Sequence, residues 1–223
     1  MPGQPRIFIA TTNPGKLREF REAARALDRD LSLEPLPEMA ELEIPVEDGD
    51  TFEANASIKA EHYSLAAPGE LVLAEDSGLA VDALGGAPGV YSARYAAQLA
   101  PGRDLSTHQN SDDAANNAAL INQLQRLPQS PDGHAGKYVC VIAIARDGKT
   151  IQTFRGEVAG KMIIQPRGTG GFGYDPLFYF PELGKTFAEL PLEEKRQHSH
   201  RGNAFRELLQ WLDRHPGELA TRV

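Results

Sequence analysis

The sequence is short of several residue types and patterns, and each shortage excludes a class of protein. Its single cysteine, Cys140, can form neither an internal disulfide nor a multi-cysteine zinc site. Its longest apolar run, residues 138–145, is far shorter than the roughly 20 residues that cross a bilayer. Lys and Arg number 23 against 31 Asp and Glu, and the net charge of −8 argues against a general nucleic-acid binder. The N-terminal residues show no signal peptide, so we expect a cytoplasmic protein. From the net charge and the short apolar runs we expect neither a nucleic-acid nor a membrane partner.

What is present is an ordinary globular composition with an α/β pattern at the start of the chain. Hydrophobic residues make up 41% of the 223 residues, which is enough for a buried core. A short apolar strand over 6–11 is followed by a helix over 16–27, in which apolar residues recur every three or four positions. A second strand over 31–36 completes the opening strand–helix–strand unit.

The second half of the chain adds an antiparallel element. Two strands, 137–146 and 149–158, are joined by Asp147-Gly148, a strong signal for a tight hairpin. The sequence therefore predicts an α/β fold with a mixed sheet flanked by helices, in one domain over residues 1–223. Further strands are predicted over 71–74 and 79–84, and further helices over 51–66 (begun by a capping box from Asp50 to Glu53), 111–127, 191–197 and 202–213.

The segment Thr11-Thr-Asn-Pro-Gly-Lys16 lies between the first strand and the first helix. Backbone N–H groups and the helix dipole favour an anion at a helix N-terminus, and Lys16 adds a cation. A plain Asn-Pro-Gly turn followed by a surface lysine explains the same residues equally well. The segment is not a Walker A loop, because Leu17 stands where Ser or Thr belongs.

The segment Glu75-Asp-Ser-Gly78 places two adjacent carboxylates at the predicted end of a strand, where open α/β sheets bind ligands. Carboxylates suit Mg²⁺, which keeps positions for water and substrate phosphates. Because neighbouring side chains on a strand point to opposite faces, only one of Glu75 and Asp76 faces the site unless the strand has already turned. Glu47 and Asp48, from a separate acidic segment, could join the same metal, whereas a simple acidic turn is the alternative.

The segment Gly168-Thr-Gly-Gly-Phe-Gly173 fits the letters of a dinucleotide fingerprint, but no helix pattern follows it, so we reject that interpretation. Its glycines instead indicate a backbone that closely approaches a flat ligand, with Phe172 or Tyr174 free to stack on it. A core aromatic residue in a tight turn is the alternative.

A fourth candidate lies between the last two predicted helices, where Lys195, His198, His200 and Arg201 could bind an anion or the edge of a base. A charged turn between helices explains this segment alone. The two histidines would diverge on a helix and have no obvious third partner, so we do not predict a metal there.

Taken together, six ordered segments resemble the inosine/xanthosine triphosphate pyrophosphatase family, and the resemblance extends from about residue 7 to about residue 212. The segments are Ala10-Thr-Thr-Asn-Pro-Gly-Lys16, Thr51-Phe-Glu-Ala-Asn55, Glu75-Asp-Ser-Gly-Leu-Ala-Val-Asp82, Gly85-Gly-Ala-Pro-Gly-Val-Tyr-Ser-Ala-Arg94, Gly171-Phe-Gly-Tyr-Asp-Pro176 and Ser199-His-Arg-Gly202.

The resemblance implies an elongated mixed α/β fold with two lobes and a nucleotide-binding groove between them, usually as a homodimer. It also implies Mg²⁺-dependent hydrolysis of the deaminated purine nucleotides ITP, dITP and XTP to the monophosphate and pyrophosphate, which cleanses the nucleotide pool.

The resemblance assigns roles to residues at the matching positions. Asp76 and Lys16 are implied to be catalytic, with Asp76 the proton acceptor, and Asp76 and Glu47 are implied to bind the metal. Glu75 stands where many relatives have a second Asp. The implied substrate-binding residues are Thr11, Thr12, Asn13, Pro14, Gly15, Lys16, Ser77, Phe172, Gly173, Tyr174, Asp175, Lys195, His200 and Arg201.

Base selectivity is expected to depend on the purine 6-position, since Arg201 can only donate hydrogen bonds and would favour a 6-carbonyl over the 6-amino group of ATP. Two alternatives stay open: a module that senses nucleotides without hydrolysing them, and a pyrophosphatase of similar fold that acts on modified pyrimidine nucleotides. The carboxylates Glu47, Glu75 and Asp76 favour an enzyme over a sensor.

Overall fold

The computed structural model describes residues 6–25, 31–100, 112–128 and 130–219. Within these ranges the helices are α1 (Pro14–Arg25), α2 (Phe52–Ser64), α3 (Tyr95–Leu99), α4 (Asp113–Leu124), α5 (Leu192–His198) and α6 (His200–Arg214). The strands are β1 (Arg6–Ile9), β2 (Ser32–Pro35), β3 (Leu71–Val81), β4 (His134–Arg146), β5 (Lys149–Met162), β6 (Phe178–Phe180) and β7 (Lys185–Thr186). Residues 26 and 27 of the first predicted helix, and Ser111 of a later one, lie outside the described residues.

The strands form one sheet in the order β2-β1-β3-β4-β5-β6-β7. Strand β1 pairs in parallel with both β2 and β3, whereas β6 pairs antiparallel with β5 and β7. This arrangement confirms the predicted mixed sheet. The predicted hairpin is also confirmed, because Asp147 and Gly148 join β4 to β5 and both have the positive φ of a type I′ turn.

The prediction of two strands around Glu75–Gly78 is wrong. Strand β3 runs without a break from Leu71 to Val81, so the two carboxylates lie inside a strand rather than at its end. Nearly every residue of β3 is buried, including both acidic ones. The strand can continue through them because each carboxylate has a cation beside it, as described below.

The predicted cap of α2 lies one residue too early. Thr51, not Asp50, caps the helix, and its side chain accepts a hydrogen bond from the Ala54 N–H at 3.1 Å. Thr51 has the extended backbone of an N-cap residue, and the first helical residue, Phe52, follows it directly.

The chain divides into two compact units, which we describe separately. Unit 1 comprises Met1–Asp76, Cys140–Gly156 and Arg196–Val223. Its core joins β1, the first half of β3 and the end of β4 to helices α1 and α6, with Phe20 of α1 and Phe205 of α6 in ring contact at 5.7 Å between centroids. Cys140 is buried in this core.

Unit 2 comprises Ser77–Val139 and Glu157–Lys195. Its core is richer in aromatic residues: Phe178 lies between Tyr138, at 4.5 Å, and Phe187, at 4.8 Å between ring centroids. Helix α4 adds Leu120 and Leu124 to this core. None of the helices in the described ranges has the length and apolar character needed to cross a membrane.

Candidate functional site

In unit 1, the loop between β1 and α1 is organised by its own short polar side chains. The Oδ1 atom of Asn13 accepts hydrogen bonds from the N–H groups of Gly15, at 2.8 Å, and Lys16, at 3.2 Å. The Thr11 hydroxyl accepts one from the Asn13 N–H at 3.2 Å. Asn13 therefore acts as the cap of α1. Thr12 and Pro14 are exposed on the same loop.

Glu75 is the buried centre of an ion network. Lys16 and Arg201 both form ion pairs with its carboxylate, and the Cys140 thiol donates a hydrogen bond to it at 3.3 Å. Burial alone would raise the pKa of Glu75, but the two cations outweigh burial and hold that pKa well below its usual range. Glu75 is therefore ionised, and Lys16 already has an internal partner.

Asp76 has a different environment although it is the next residue. Its Oδ1 atom accepts a hydrogen bond from the Lys59 ammonium at 2.8 Å, and Lys59 also binds Glu47 at 2.9 Å. The Oδ2 atom of Asp76 is buried and has no hydrogen-bond partner within the described part of the chain. Burial raises the pKa of Asp76 and outweighs the effect of Lys59.

The contrast between these two residues follows from the strand. Glu75 and Asp76 have separate sets of partners, as the alternation of side chains along a strand predicts, because β3 has not turned at this point. Asp76 shares the cation Lys59 with Glu47, so Glu47, Lys59 and Asp76 form one group, which we call the carboxylate cluster.

Lys59 is a functional candidate that the sequence analysis missed. Burial alone would lower the pKa of Lys59, but Asp76 and Glu47 outweigh it and raise that pKa, so the ammonium stays charged. The sequence did contain an indication that Lys59 is functional, because Lys59 lies one helical turn after Asn55 on the helix that follows the acidic segment. A lysine in a helix is usually on the surface, and for that reason the signal was weak.

Arg201 lies in unit 1 at the start of α6, buried together with His200. Its guanidinium forms an ion pair with Glu19 of α1 and another, at 3.5 Å, with Glu75. Helix α6 is capped by Ser199, whose hydroxyl accepts from the Gly202 N–H at 3.1 Å. The two carboxylates therefore orient Arg201 from two elements, and the sequence analysis missed the part played by Glu19.

In unit 2, the aromatic loop is built around Asp175. Its carboxylate accepts hydrogen bonds from the Phe172 N–H at 2.8 Å, from the Lys195 ammonium at 2.6 Å and from the Tyr138 hydroxyl at 3.3 Å. The Lys195 nitrogen also lies 4.8 Å from the centroid of the Phe172 ring. We call Tyr138, Phe172, Asp175 and Lys195 the aromatic cluster.

Gly171 makes this loop possible. Its φ of 73° lies in the left-handed region, and a Cβ atom there would lie 2.0 Å from the Asp175 carboxylate. Any side chain at this position would both strain the backbone and push Asp175 away. The glycine thus serves close packing within the loop.

Helix α4 holds the next part of the loop through two residues that the sequence analysis missed. The Asp113 carboxylate accepts from the Gly173 N–H at 2.6 Å, and the Asn117 amide donates to the Gly173 carbonyl at 3.0 Å. These two side chains are four residues apart and so lie on one helix face. The Tyr174 hydroxyl donates to the Ser92 carbonyl at 2.8 Å, which fixes that ring in the core.

The structure therefore divides the predicted site residues between the two units. Unit 1 holds the residues from Thr11 to Lys16, Glu47, Asp76, His200 and Arg201. Unit 2 holds Ser77, half-buried on β3, the residues Phe172, Gly173, Tyr174 and Asp175, and Lys195.

The carboxylate cluster fits a small hard cation. Carboxylate oxygens are the ligands that Mg²⁺ prefers, and the unpartnered Oδ2 atom of buried Asp76 is an acceptor in need of a partner. The described residues contain no group of three or more His, Cys, Asp or Glu side chains placed to hold a metal. A metal here would thus take its other ligands from water and substrate.

Solved structures define the class of fold. The chain matches a HAM1 protein from Coxiella burnetii with a TM-score of 0.77 and 35% identity, covering 94% of this chain and 98% of that one. It matches the Staphylococcus aureus Ham1 protein with a TM-score of 0.75 and 38% identity, covering 94% and 99%.

The chain belongs to the Ham1 family, whose model matches residues 7–211. It is 51% identical over 205 residues to a dITP/XTP pyrophosphatase from Acidobacterium capsulatum, covering 91% of this chain and 96% of that protein. It is 43% identical to a dITP/XTP pyrophosphatase from Thermus thermophilus, covering 92% and 90%. These relatives confirm the resemblance drawn from the six sequence segments.

Proposed function

We propose that this protein hydrolyses the deaminated purine nucleotides ITP, dITP and XTP to the nucleoside monophosphate and pyrophosphate, with Mg²⁺ as its cofactor. The relatives named dITP/XTP pyrophosphatase support the reaction and the substrate class. Hydrolysis of these nucleotides before a polymerase uses them would cleanse the nucleotide pool.

One observation carries the proposal: Asp76 is a buried carboxylate whose Oδ2 atom has no hydrogen-bond partner within the described residues. Burial without full compensation is costly, so such an atom is expected where a ligand or a reacting group supplies the partner. Its raised pKa makes Asp76 a better proton acceptor than an exposed aspartate. We assign it the role of orienting the attacking water and accepting its proton.

The residues that would hold Mg²⁺ are Asp76 and Glu47. When bound, the ion would offset phosphate charge and help to align the water and the leaving group. Lys59 contacts both carboxylates and adds positive charge to the same place. Phosphoryl transfer depends mainly on such charge compensation and alignment, so the cluster suits this reaction.

Lys16 would supply further positive charge to the substrate phosphates, next to the loop from Thr11 to Gly15. Since Lys16 forms an ion pair with Glu75 in the structure, it would have to exchange or share that partner when phosphate binds. Glu75 is held as an anion by Lys16 and Arg201 and serves as their anchor.

In unit 1, base recognition is assigned to Arg201, which would donate to the 6-carbonyl of the base, with Glu19 and Glu75 orienting its guanidinium. His200 is assigned a substrate contact in the same unit. In unit 2, Phe172 is assigned to stacking on the purine and Ser77 to a substrate contact. If an Arg201→Ala variant kept its preference for ITP over ATP, this role would be refuted. The homodimer and the cytoplasmic location stay predictions of the sequence.

The test is pyrophosphate release from ITP, XTP, GTP, ATP and dUTP, each measured with Mg²⁺ and again with excess EDTA. We expect strong release from ITP and XTP alone, abolished by EDTA. Release from dUTP instead would favour the pyrimidine alternative. Binding of ITP without any release would point to the sensing module.

A further inference from the structure

Helix α2 presents three polar side chains along one face to the segment of residues 43–49. The Asn55 Oδ1 atom accepts from the Gly49 N–H at 2.8 Å, Lys59 binds the Glu47 carboxylate at 2.9 Å, and the His62 Nε2 atom is 2.7 Å from the Glu43 carbonyl. The spacing from 55 to 59 to 62 is that of one helix face. Successive turns of the helix therefore contact successive parts of the segment that carries Glu47.

Regular secondary structure does not hold this segment in place. It forms neither helix nor strand, and although Pro45 is buried, the neighbouring Ile44 and Val46 are 51% and 65% exposed. A chain with few apolar contacts and no regular backbone pairing opens at low cost in free energy. The polar contacts with α2 therefore contribute to the position of the Glu47 carboxylate.

The contact between Gly49 and Asn55 leaves no room between the loop and the helix. Asn55 is only 1% exposed, so its side chain cannot follow a loop that moves away. A Cβ atom on Gly49 would lie 2.6 Å from the Ala54 Cβ and 2.7 Å from the Asn55 Oδ1 atom. The backbone approaches so closely that only glycine fits, two residues after Glu47.

We propose that Gly49 and Asn55 are positioning residues that hold the Glu47 carboxylate beside Lys59 and Asp76, and so set the affinity of the carboxylate cluster for its divalent metal. The inference rests on the proposed function, which makes Glu47 a metal ligand. Neither residue touches the metal itself. Replacing a residue that orients a metal ligand without binding the metal itself changes metal affinity by about 10- to 100-fold.

The first test is Gly49→Ala, because this residue lies in a loop and its replacement removes no side chain from the core. The readout is the dissociation constant of Mn²⁺, measured by EPR on protein saturated with the α,β-imido analogue of ITP, which cannot be hydrolysed. We expect Gly49→Ala to weaken Mn²⁺ binding about tenfold. The matched control is Gly217→Ala, since a Cβ atom on Gly217 would have no neighbour within 4 Å and should leave the constant unchanged.

A second pair of variants approaches the contact from the helix. Asn55→Leu removes the acceptor and should weaken Mn²⁺ binding by a similar factor, whereas Asn55→Asp keeps an acceptor oxygen and should restore most of the affinity. Thr51→Ala controls for general weakening of α2, because it removes the helix cap and leaves the Gly49–Asn55 contact in place.

Glu47→Gln separates failure of this inference from failure of the proposed function. If Glu47→Gln weakens Mn²⁺ binding and Gly49→Ala does not, the positioning role is overturned while the metal site stands. If Glu47→Gln leaves Mn²⁺ binding unchanged, the assignment of Glu47 as a metal ligand is wrong and this inference is overturned with it. Amide hydrogen exchange of residues 43–49 tests the positioning role without any metal. We expect exchange to be faster in Gly49→Ala than in Gly217→Ala, because the segment loses its contact with α2.

Discussion

In the carboxylate cluster and in the aromatic cluster, a buried lysine forms an ion pair with an aspartate. The two clusters differ in whether both oxygens of that aspartate have hydrogen-bond partners. Lys59 binds Asp76 at 2.8 Å in unit 1, and Lys195 binds Asp175 at 2.6 Å in unit 2. Both oxygens of Asp175 have partners, whereas Oδ2 of Asp76 has none within the described residues. A fully satisfied carboxylate stabilises its surroundings, and an unsatisfied one is available for a ligand. The comparison therefore distinguishes a satisfied carboxylate, which we expect to act as a scaffold, from an unsatisfied one, which we propose as the reactive group.

The same contrast is repeated within two residues of β3. Glu75 has two cationic partners and a lowered pKa, and Asp76 has one cationic partner and a raised pKa. Two adjacent carboxylates of one strand therefore have pKa values shifted in opposite directions. We expect Asp76 to govern turnover and Glu75 to govern stability.

The largest effect should come from Asp76→Asn. The amide keeps the size of the side chain but cannot accept the proton of the attacking water, so kcat for ITP should fall about 10³-fold or more. Binding of the unhydrolysed α,β-imido ITP should survive in part, and the unfolding temperature should change little. The measurements are pyrophosphate release, nucleotide titration and calorimetry. Turnover near the wild-type rate would end the assignment of Asp76 as proton acceptor.

Glu75→Gln should show the opposite pattern, with its main effect on folding. The change breaks the buried ion pairs of Glu75 with Lys16 and Arg201, and breaking a buried ion pair costs about 3 kcal/mol. Denaturant unfolding checks this value. A variant as stable as the wild type, with turnover lost, would exchange the roles that we give to the two carboxylates.

The pH dependence of folding stability tests the same assignment of Glu75 to stability. The folded-state pKa of Glu75 lies below the unfolded value of about 4.3, so its stabilising contribution is present above that pH and is lost as the pH falls. The wild type should therefore lose stability more steeply than Glu75→Gln between about pH 5 and pH 3. Unfolding temperatures measured across this range compare the two slopes.

Much of this comparison was accessible from the sequence, because local patterns fix local structure. The six segments predicted the loop from Thr11 to Lys16, the paired carboxylates and the aromatic loop, and the alternation of side chains separated Glu75 from Asp76. The prediction that β3 ends at Glu75 was wrong, because a polar pair in a sequence resembles a turn. Cations from distant positions in the chain allow the two carboxylates to be buried. A local sequence pattern does not show those cations.

The residues that were missed share one property: each acts through a partner far away in the sequence. Lys59 meets Glu47 from another element, Glu19 meets Arg201 across 182 positions, and Asp113 meets Gly173 across 60. Charge and hydrophobic periodicity describe neighbours within one element only. Ion pairs between elements are set by tertiary packing, so sequence patterns alone could not identify them.

A smaller effect is expected in unit 2 from Phe172→Ala. Stacking of a base on an aromatic ring contributes about 1–3 kcal/mol, so KM for ITP should rise about tenfold while kcat stays close to the wild-type value. Steady-state kinetics with ITP measure the split, and Phe172→Tyr, which keeps the ring, should restore KM. A fall in kcat with unchanged KM would place Phe172 in the chemical step and would blur the distinction between the two clusters.

The smallest effect should come from Asp113→Ala, which removes one hydrogen bond from Gly173, the residue after Phe172. A single hydrogen bond contributes about 1 kcal/mol, so KM for ITP should rise about fivefold with kcat unchanged. Asp112→Asn is the matched control: it removes the same charge one residue earlier but keeps the cap of α4, where Asp112 accepts from the Ala115 N–H. An equal rise in KM in both variants would mean that charge near α4, rather than the contact with Gly173, governs binding. A rise in Asp113→Ala alone would show that unit 2 contributes to binding through the rigidity of its aromatic loop.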